Sequence, residues 1–225
     1  HWTDGEEICV PRAGDGGTLV YDPMKQRYIA ASRRYGTVLD HFVIEWKKYR
    51  RVISMCFSED FVNWSPQQTV IKPDDFDDPL DQFYVMTPCV YGNQYIGFLG
   101  PQEVATELGP TQLVSSRDLE HWERVGKRAE FLPVGPSGGF DGAWATIAPG
   151  SPVLVDDTLY LWYNGRPQAH GTAGMFESYI GAVKLRKDRF VALRCGMRGA
   201  EMMTEPVTVG GAKLFLNATA LFGDG

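Results

Sequence analysis

A short motif that returns at nearly constant spacing constrains this chain more than any other feature. A strand ends in Ser, an acidic residue follows, and a Trp opens the next strand. It reads Ser54-Met55-Cys56-Phe57-Ser58-Glu59-Asp60-Phe61-Val62-Asn63-Trp64 and again Leu113-Val114-Ser115-Ser116-Arg117-Asp118-Leu119-Glu120-His121-Trp122. His1-Trp2 reads as the tail of an earlier copy, which sets Trp2, Trp64 and Trp122 at spacings of 62 and 58 residues. A second motif, a strand, a tight turn and an aromatic strand, keeps the same period. It places Tyr28, Tyr95 and Tyr160 at spacings of 67 and 65. Gly92-Asn93 and Asp156-Asp157 supply hairpin turns between alternating runs.

Fixed-period self-similarity is the mark of repeat architectures. Each unit here supplies about four short strands joined by hairpins, the make-up of a propeller blade. The expectation is all-β: three blades at 10–75, 76–140 and 141–199, with surplus length in loops at 102–109 and 129–142. Helix is scarce, and only 38–48 has the pattern for a short turn of it. A β-sandwich of many hairpins is the alternative, but it does not call for a recurring period. Residues 1–199 are read as partial propeller and 200–225 as a second β domain. In that tail Thr204-Glu205-Pro206-Val207-Thr208-Val209 and Lys213-Leu214-Phe215-Leu216-Asn217 flank a Gly210-Gly211 turn, with no copy of the Ser-acid-Trp motif.

Charge narrows the partners. A formal net charge of −6 argues against a nucleic-acid groove, which needs a basic field. The basic run Lys47-Lys48-Tyr49-Arg50-Arg51 reads as a solvated loop or strand edge. No segment approaches the ~20 apolar residues needed to span a bilayer. Cys9, Cys56, Cys89 and Cys195 form no C-x-x-C pair, which argues against structural zinc. Cys56 and Cys89 lie in apolar runs, as buried free thiols do. The sequons at Asn63 and Asn217 matter only in a secreted glycoprotein, and the compartment stays open between secreted or periplasmic and other locations.

The runs Asp81-Gln82-Phe83-Tyr84, Ser116 to Trp122, Ala148-Pro149-Gly150-Ser151-Pro152, His170-Gly171, and Ile180-Gly181-Ala182 followed by Asp188-Arg189-Phe190-Val191-Ala192-Leu193 together resemble five-bladed propeller glycosidases. The likeness is to the superfamily of invertases, levansucrases and arabinanases, and especially to bacterial family-32-like glycosyl hydrolases. It implies five blades, of which three are visible, followed by the start of a β-sandwich. Upstream blades or a second chain would then close the ring. It also implies that the nucleophile or base comes from the first blade, upstream of His1. The family's general-acid Glu has no match, since Met86-Thr87-Pro88 carries no carboxylate. The reading is therefore a glycoside hydrolase, with a non-catalytic glycan-binding or scaffold propeller as the alternative.

Glycosidic cleavage uses two carboxylates, one giving a proton and one acting as base or nucleophile. Inner strands are expected at 85–91 and 145–155. Asp81 and Asp141 stand just ahead of them, offset by 60 residues, as equivalent rim positions on adjacent blades would be. They are the candidate catalytic pair, against a plain reading as solvated turn residues. Tyr84 and Trp144 flank those acids as candidate sugar platforms, with Phe140 nearby. His170 in a Gly-rich loop, Glu177 in the next loop and Arg33 at a strand end complete the candidate substrate contacts. No cofactor is called for, although a structural or funnel-bound cation would be compatible.

Overall fold

The computed structural model describes residues 10, 14, 16–37, 49–150, 152–173, 177–196 and 198–204, and scattered positions from 206 to 218. The helical turn expected at 38–48, the Trp2 copy and Cys9 lie outside the described residues, as does most of the hairpin expected after 204. Residues 1–192 form one compact unit and 193–225 another. In the second, the described residues carry no strand.

The first unit is all-β, in three consecutive antiparallel sheets. The first runs β1 (Thr18–Asp22), β2 (Arg27–Thr37), β3 (Tyr49–Ser58) and β4 (Gln68–Ile71) in simple meander order. The second has β5 (Gln82–Tyr91), β6 (Gln94–Gln102), β7 (Thr111–Ser116) and β8 (Glu123–Arg124), with β9 (Glu130–Leu132) continuing β8's place on β7. The third has β10 (Trp144–Ile147), β11 (Val153–Val155), β12 (Thr158–Arg166) and β13 (Tyr179–Arg186).

Four strands per sheet were expected, and the third sheet departs from that. β10 and β11 both pair with the same edge of β12, at Tyr163 to Arg166 and at Thr158 to Tyr160. They are one edge strand in two pieces, so this sheet is three strands wide. The break falls at Ala148-Pro149-Gly150-Ser151-Pro152. Each proline removes a ladder donor, and Gly150 has φ +133. Beyond β13 the described residues 191–196 form no fourth strand. There Arg194, Cys195 and Gly196 interrupt any apolar alternation.

The repeat motif is one turn built twice. Ser58 Oγ bonds Asp60 Oδ1 at 3.0 Å, and Ser116 Oγ bonds Asp118 Oδ1 at 3.1 Å. Each Asp then accepts two backbone N–H groups, from Val62 and Asn63 or from Glu120 and His121. Phe61 and Leu119 both take positive φ, 67 and 75. The Trp indole closes each turn onto that residue's carbonyl, Trp64 on Phe61 at 3.2 Å and Trp122 on Leu119 at 3.0 Å. The tyrosine repeat is less exact. Tyr28 and Tyr95 are second after their turns, whereas Leu159 holds that place in the third copy and Tyr160 is one residue late. One residue of shift in a strand moves a side chain to the other face.

These donors hold both aspartates well below the ordinary carboxylate range, Asp60 chiefly through the Asn63 backbone N–H and Asp118 chiefly through that of His121. A depressed folded-state pKa adds stability that is present above the unfolded pKa and lost as pH falls toward the folded one. The melting temperature is therefore expected to drop on acidification below about pH 4. An Asp60→Asn/Asp118→Asn variant, followed by circular dichroism across that range, should show a shallower drop.

Sheet two is covered on both faces. Ile29, Ala31, Ile53 and Met55 of sheet one pack with Phe83, Met86 and Leu99. Cys89, Ile96, Phe98 and Leu113 pack with Ala145, Ile147, Leu161 and Tyr163 of sheet three. This is why Tyr95 to Gln102 are buried without interruption, while β12 alternates. Cys56 and Cys89 are buried free thiols, and burial pushes Cys89 up to about 12.

Candidate functional site

Side chains from all three sheets meet at one end of the strands. On sheet one, Arg33 pairs with Ile53, and Arg51 pairs with Tyr35. Directly paired residues share a face, so both arginines extend the face that carries Ile29, Ala31, Ile53 and Met55. They reach the next sheet at Tyr84, with guanidinium carbons 4.0 Å (Arg33) and 5.3 Å (Arg51) from its ring centre.

Tyr84 is there because of a bulge. Phe83 pairs with Pro101 and Val85 with Gly100, which leaves Tyr84 unmatched. An extra residue of this kind re-aims its side chain. Its ring meets Trp144 edge-on at 4.9 Å and His170 at 5.3 Å, and Trp144 and His170 lie 5.8 Å apart. Arg33, Tyr84, Trp144 and His170, all candidates from sequence, are thus brought together. Trp144 is only 3% exposed, so it forms a wall behind the partly exposed Tyr84 and His170. Gly109 makes that wall possible, because a Cβ there would sit 2.5 Å from the indole. Gly109→Ala is accordingly expected to displace Trp144, with a shifted tryptophan emission maximum and a loss of about 1–3 kcal/mol from overpacking, read by urea unfolding.

Three polar members were not singled out from sequence. Arg51 Nη1 donates to Gln102 Oε1 at 2.7 Å, and Gln102 Nε2 donates to Glu107 Oε2 at 2.9 Å. That same oxygen lies 3.3 Å from His170 Nδ1, and the His170 backbone N–H donates to the Glu107 carbonyl. Glu107 sits in the 102–109 loop with φ 60.

Asp81 lies just before the Gln82–Gln102 pair, and Gln82 accepts the Arg51 backbone N–H. Its turn is fixed by Arg50, which donates to the carbonyls of Asp78 and Asp81. Arg50 is buried within β3, where a solvated loop or strand edge was expected for residues 47–51. Burial first, then the charges of Asp78, Glu103 and Asp77, push Asp81 up to about 6.

Asp141 and Glu177 belong to a different grouping. Asp141 accepts the Tyr163 hydroxyl at 2.7 Å, and a Cβ on Gly135 would lie 1.9 Å from its carboxylate. It locks the 135–142 loop onto β12. Glu177 is exposed and accepts the Tyr179 hydroxyl at 3.1 Å. Tyr179 in turn meets Phe140, which meets Tyr163. A separate groove of about 840 Å³ runs past Ile71, Trp122, Arg124 and Arg128. Its arginines are already paired with Asp77 and Asp74.

No family model and no curated protein matches this chain. Solved structures do. An N-acetylgalactosamine deacetylase from F. plautii, in complex with blood group B trisaccharide, superposes with a TM-score of 0.52 at 16% identity, over 76% of this chain and 49% of its own. The β-1,2-mannobiose phosphorylase of Listeria innocua, in complex with β-1,2-mannobiose, gives 0.53 at 16%, over 79% and 42%. A structure named only as a glycoside hydrolase gives 0.51 at 14%, over 77% and 47%. This chain spans about half the length of those structures. The likeness is one of fold, and it takes in about three quarters of this chain with its successive antiparallel sheets.

Proposed function

We propose that the protein is a glycoside-cleaving enzyme whose saccharide sits against Tyr84 and His170, with Trp144 behind them. The observation that carries this reading is the convergence of Arg33, Arg51, Tyr84, Trp144, His170 and Glu107, from three sheets, at one end of the strands. Aromatic rings beside a few hydrogen-bonding groups are what a sugar's apolar face and hydroxyl rim require. Two of the solved structures that share this fold hold saccharides, as their names state.

Asp81 takes the role of proton donor. A carboxyl raised to about 6 keeps its proton in mildly acidic solution and can pass it to the leaving oxygen. Glu107 is the second carboxylate, because it is tied to His170 and, through Gln102, to Arg51. Asp141, held by Tyr163, positions the loop beside β12. Fold alone does not decide activity, so the test is direct. The full-length protein is offered a panel of disaccharides and polysaccharides, and release of reducing sugar is measured. Cleavage that is lost in Glu107→Gln supports the reading. Glycan binding without turnover on the whole panel would favour a binding propeller instead.

A further inference from the structure

We infer that Gln102 is a positioning residue for the cleavage reaction: it holds one oxygen of Glu107 and so assigns the other to the saccharide. The inference rests on the reading of Glu107 as the second carboxylate. Gln102 ends β6 and is 2% exposed, too deeply set to meet a sugar itself. Its amide has two ends and two different neighbours. Arg51 has only donors to offer, so the Gln102 Oε1 must face it, at 2.7 Å from Nη1. That leaves Nε2 to donate to Glu107 Oε2 at 2.9 Å. The direction of the amide is thus set from sheet one, whereas its effect falls on the 102–109 loop. Arg51 is itself held, since its backbone N–H donates to Gln82 Oε1 at 3.2 Å and Gln82 is the cross-strand partner of Gln102.

Glu107 needs such a partner. Its backbone takes φ 60, in the left-handed region that residues with a Cβ rarely adopt. Backbone bonds secure it there: its N–H donates to the Glu103 carbonyl at 2.7 Å, and its own carbonyl accepts the His170 N–H at 3.2 Å. Those bonds fix where the residue stands but leave its side-chain torsions open. Gln102 Nε2 and His170 Nδ1, the latter 3.3 Å away, both address Oε2. Among the described residues the other Glu107 oxygen, Oε1, accepts no hydrogen bond, and the side chain is 36% exposed. A base or nucleophile needs one unengaged oxygen held in a fixed place beside the sugar. Gln102 enforces that arrangement from behind.

The test separates a positioning role from a structural one. In the full-length protein, Gln102→Met keeps the size of the side chain and removes both hydrogen bonds. Gln102→Glu keeps the acceptor for Arg51 and sets a second carboxylate against Glu107. Stability and rate are then expected in opposite orders. Gln102→Glu should unfold at no lower urea concentration than Gln102→Met, because its carboxylate still pairs with Arg51. Its kcat on a saccharide that the wild type cleaves should be the lower of the two, because it repels Glu107. The expected loss of kcat is about ten-fold or more in Gln102→Met and about 100-fold in Gln102→Glu, the scale of an ångström-sized misplacement. KM should stay within about three-fold of wild type in both. If Gln102→Met fails to fold, the loss of kcat at held KM in Gln102→Glu carries the test. Unchanged kcat in either folded variant, or losses of kcat that follow the order of stability, would overturn the inference and leave the role of Glu107 standing. A wild type that cleaves nothing on the panel, or a Glu107→Gln variant with full activity, would remove the reading beneath it and the inference with it.

Discussion

Asp81→Asn is expected to lower kcat/KM for glycoside cleavage by about 100-fold or more, with the fold intact. The carboxyl is raised to about 6 by burial and by the neighbouring charges of Asp78, Glu103 and Asp77. The wild-type rate should therefore fall as pH rises through about 6, because the proton to be donated is gone above that value. Asn cannot donate it at any pH, so the variant should be flat as well as slow. The sign of the stability effect is opposite. A carboxyl with a raised folded-state pKa contributes stability below the unfolded value, and loses it as pH rises through the folded one. At pH 7 and above, ionised Asp81 opposes folding, and Asp81→Asn should melt no lower than wild type. Thermal unfolding at pH 5 and pH 8 checks this. A variant less stable at pH 8 with unchanged activity would assign Asp81 to structure alone.

The largest stability effect is expected at Asp22. Its side chain is fully buried, and one oxygen accepts the Tyr95 hydroxyl at 2.9 Å, from a tyrosine that is itself fully buried. The other accepts the backbone N–H groups of Met24 and Lys25, which closes the β1–β2 turn. Burial, then the bond to Asp22, pushes Tyr95 up to about 12. Asp22→Ala strands the Tyr95 hydroxyl in the core between sheets one and two and releases the two backbone donors of the β1–β2 turn. A buried polar network broken at one member typically costs about 3–5 kcal/mol. Tyr95→Phe removes a single donor and should cost about 1–3 kcal/mol. Urea unfolding of both variants reads the difference, and equal small losses would contradict the network.

The sequence made the sheets legible because their punctuation is chemical. The Ser-x-Asp turn needs a short hydroxyl, a carboxylate and a Trp donor at fixed places, and Ser58, Asp60, Trp64 and their counterparts at Ser116, Asp118 and Trp122 repeat it bond for bond. Tyr160 misled because composition does not fix register, and the Asp156-Asp157 turn sets Leu159 where Tyr was expected. Tyr84, Trp144 and Arg33 stood out as aromatic or charged residues near expected strand ends, and His170 as a histidine in a Gly-rich loop. Asp81 and Asp141 share a 60-residue offset, yet only Asp81 lies beside the Arg51–Gln102 network, because residues 135–142 fold back on Tyr163. Glu107, Gln102 and Arg51 were hidden for another reason. Their meaning lies in contacts between residues far apart in the chain, which no local pattern records.

The most direct measurement is a crystal structure of the full-length Asp81→Asn variant soaked with a saccharide that the wild type cleaves. A sugar ring within van der Waals reach of Tyr84 and His170, its glycosidic oxygen facing residue 81, is the predicted result. Saccharide bound in the groove past Trp122 and Arg128, with the Tyr84 and His170 end untouched, would contradict the assignment of the site.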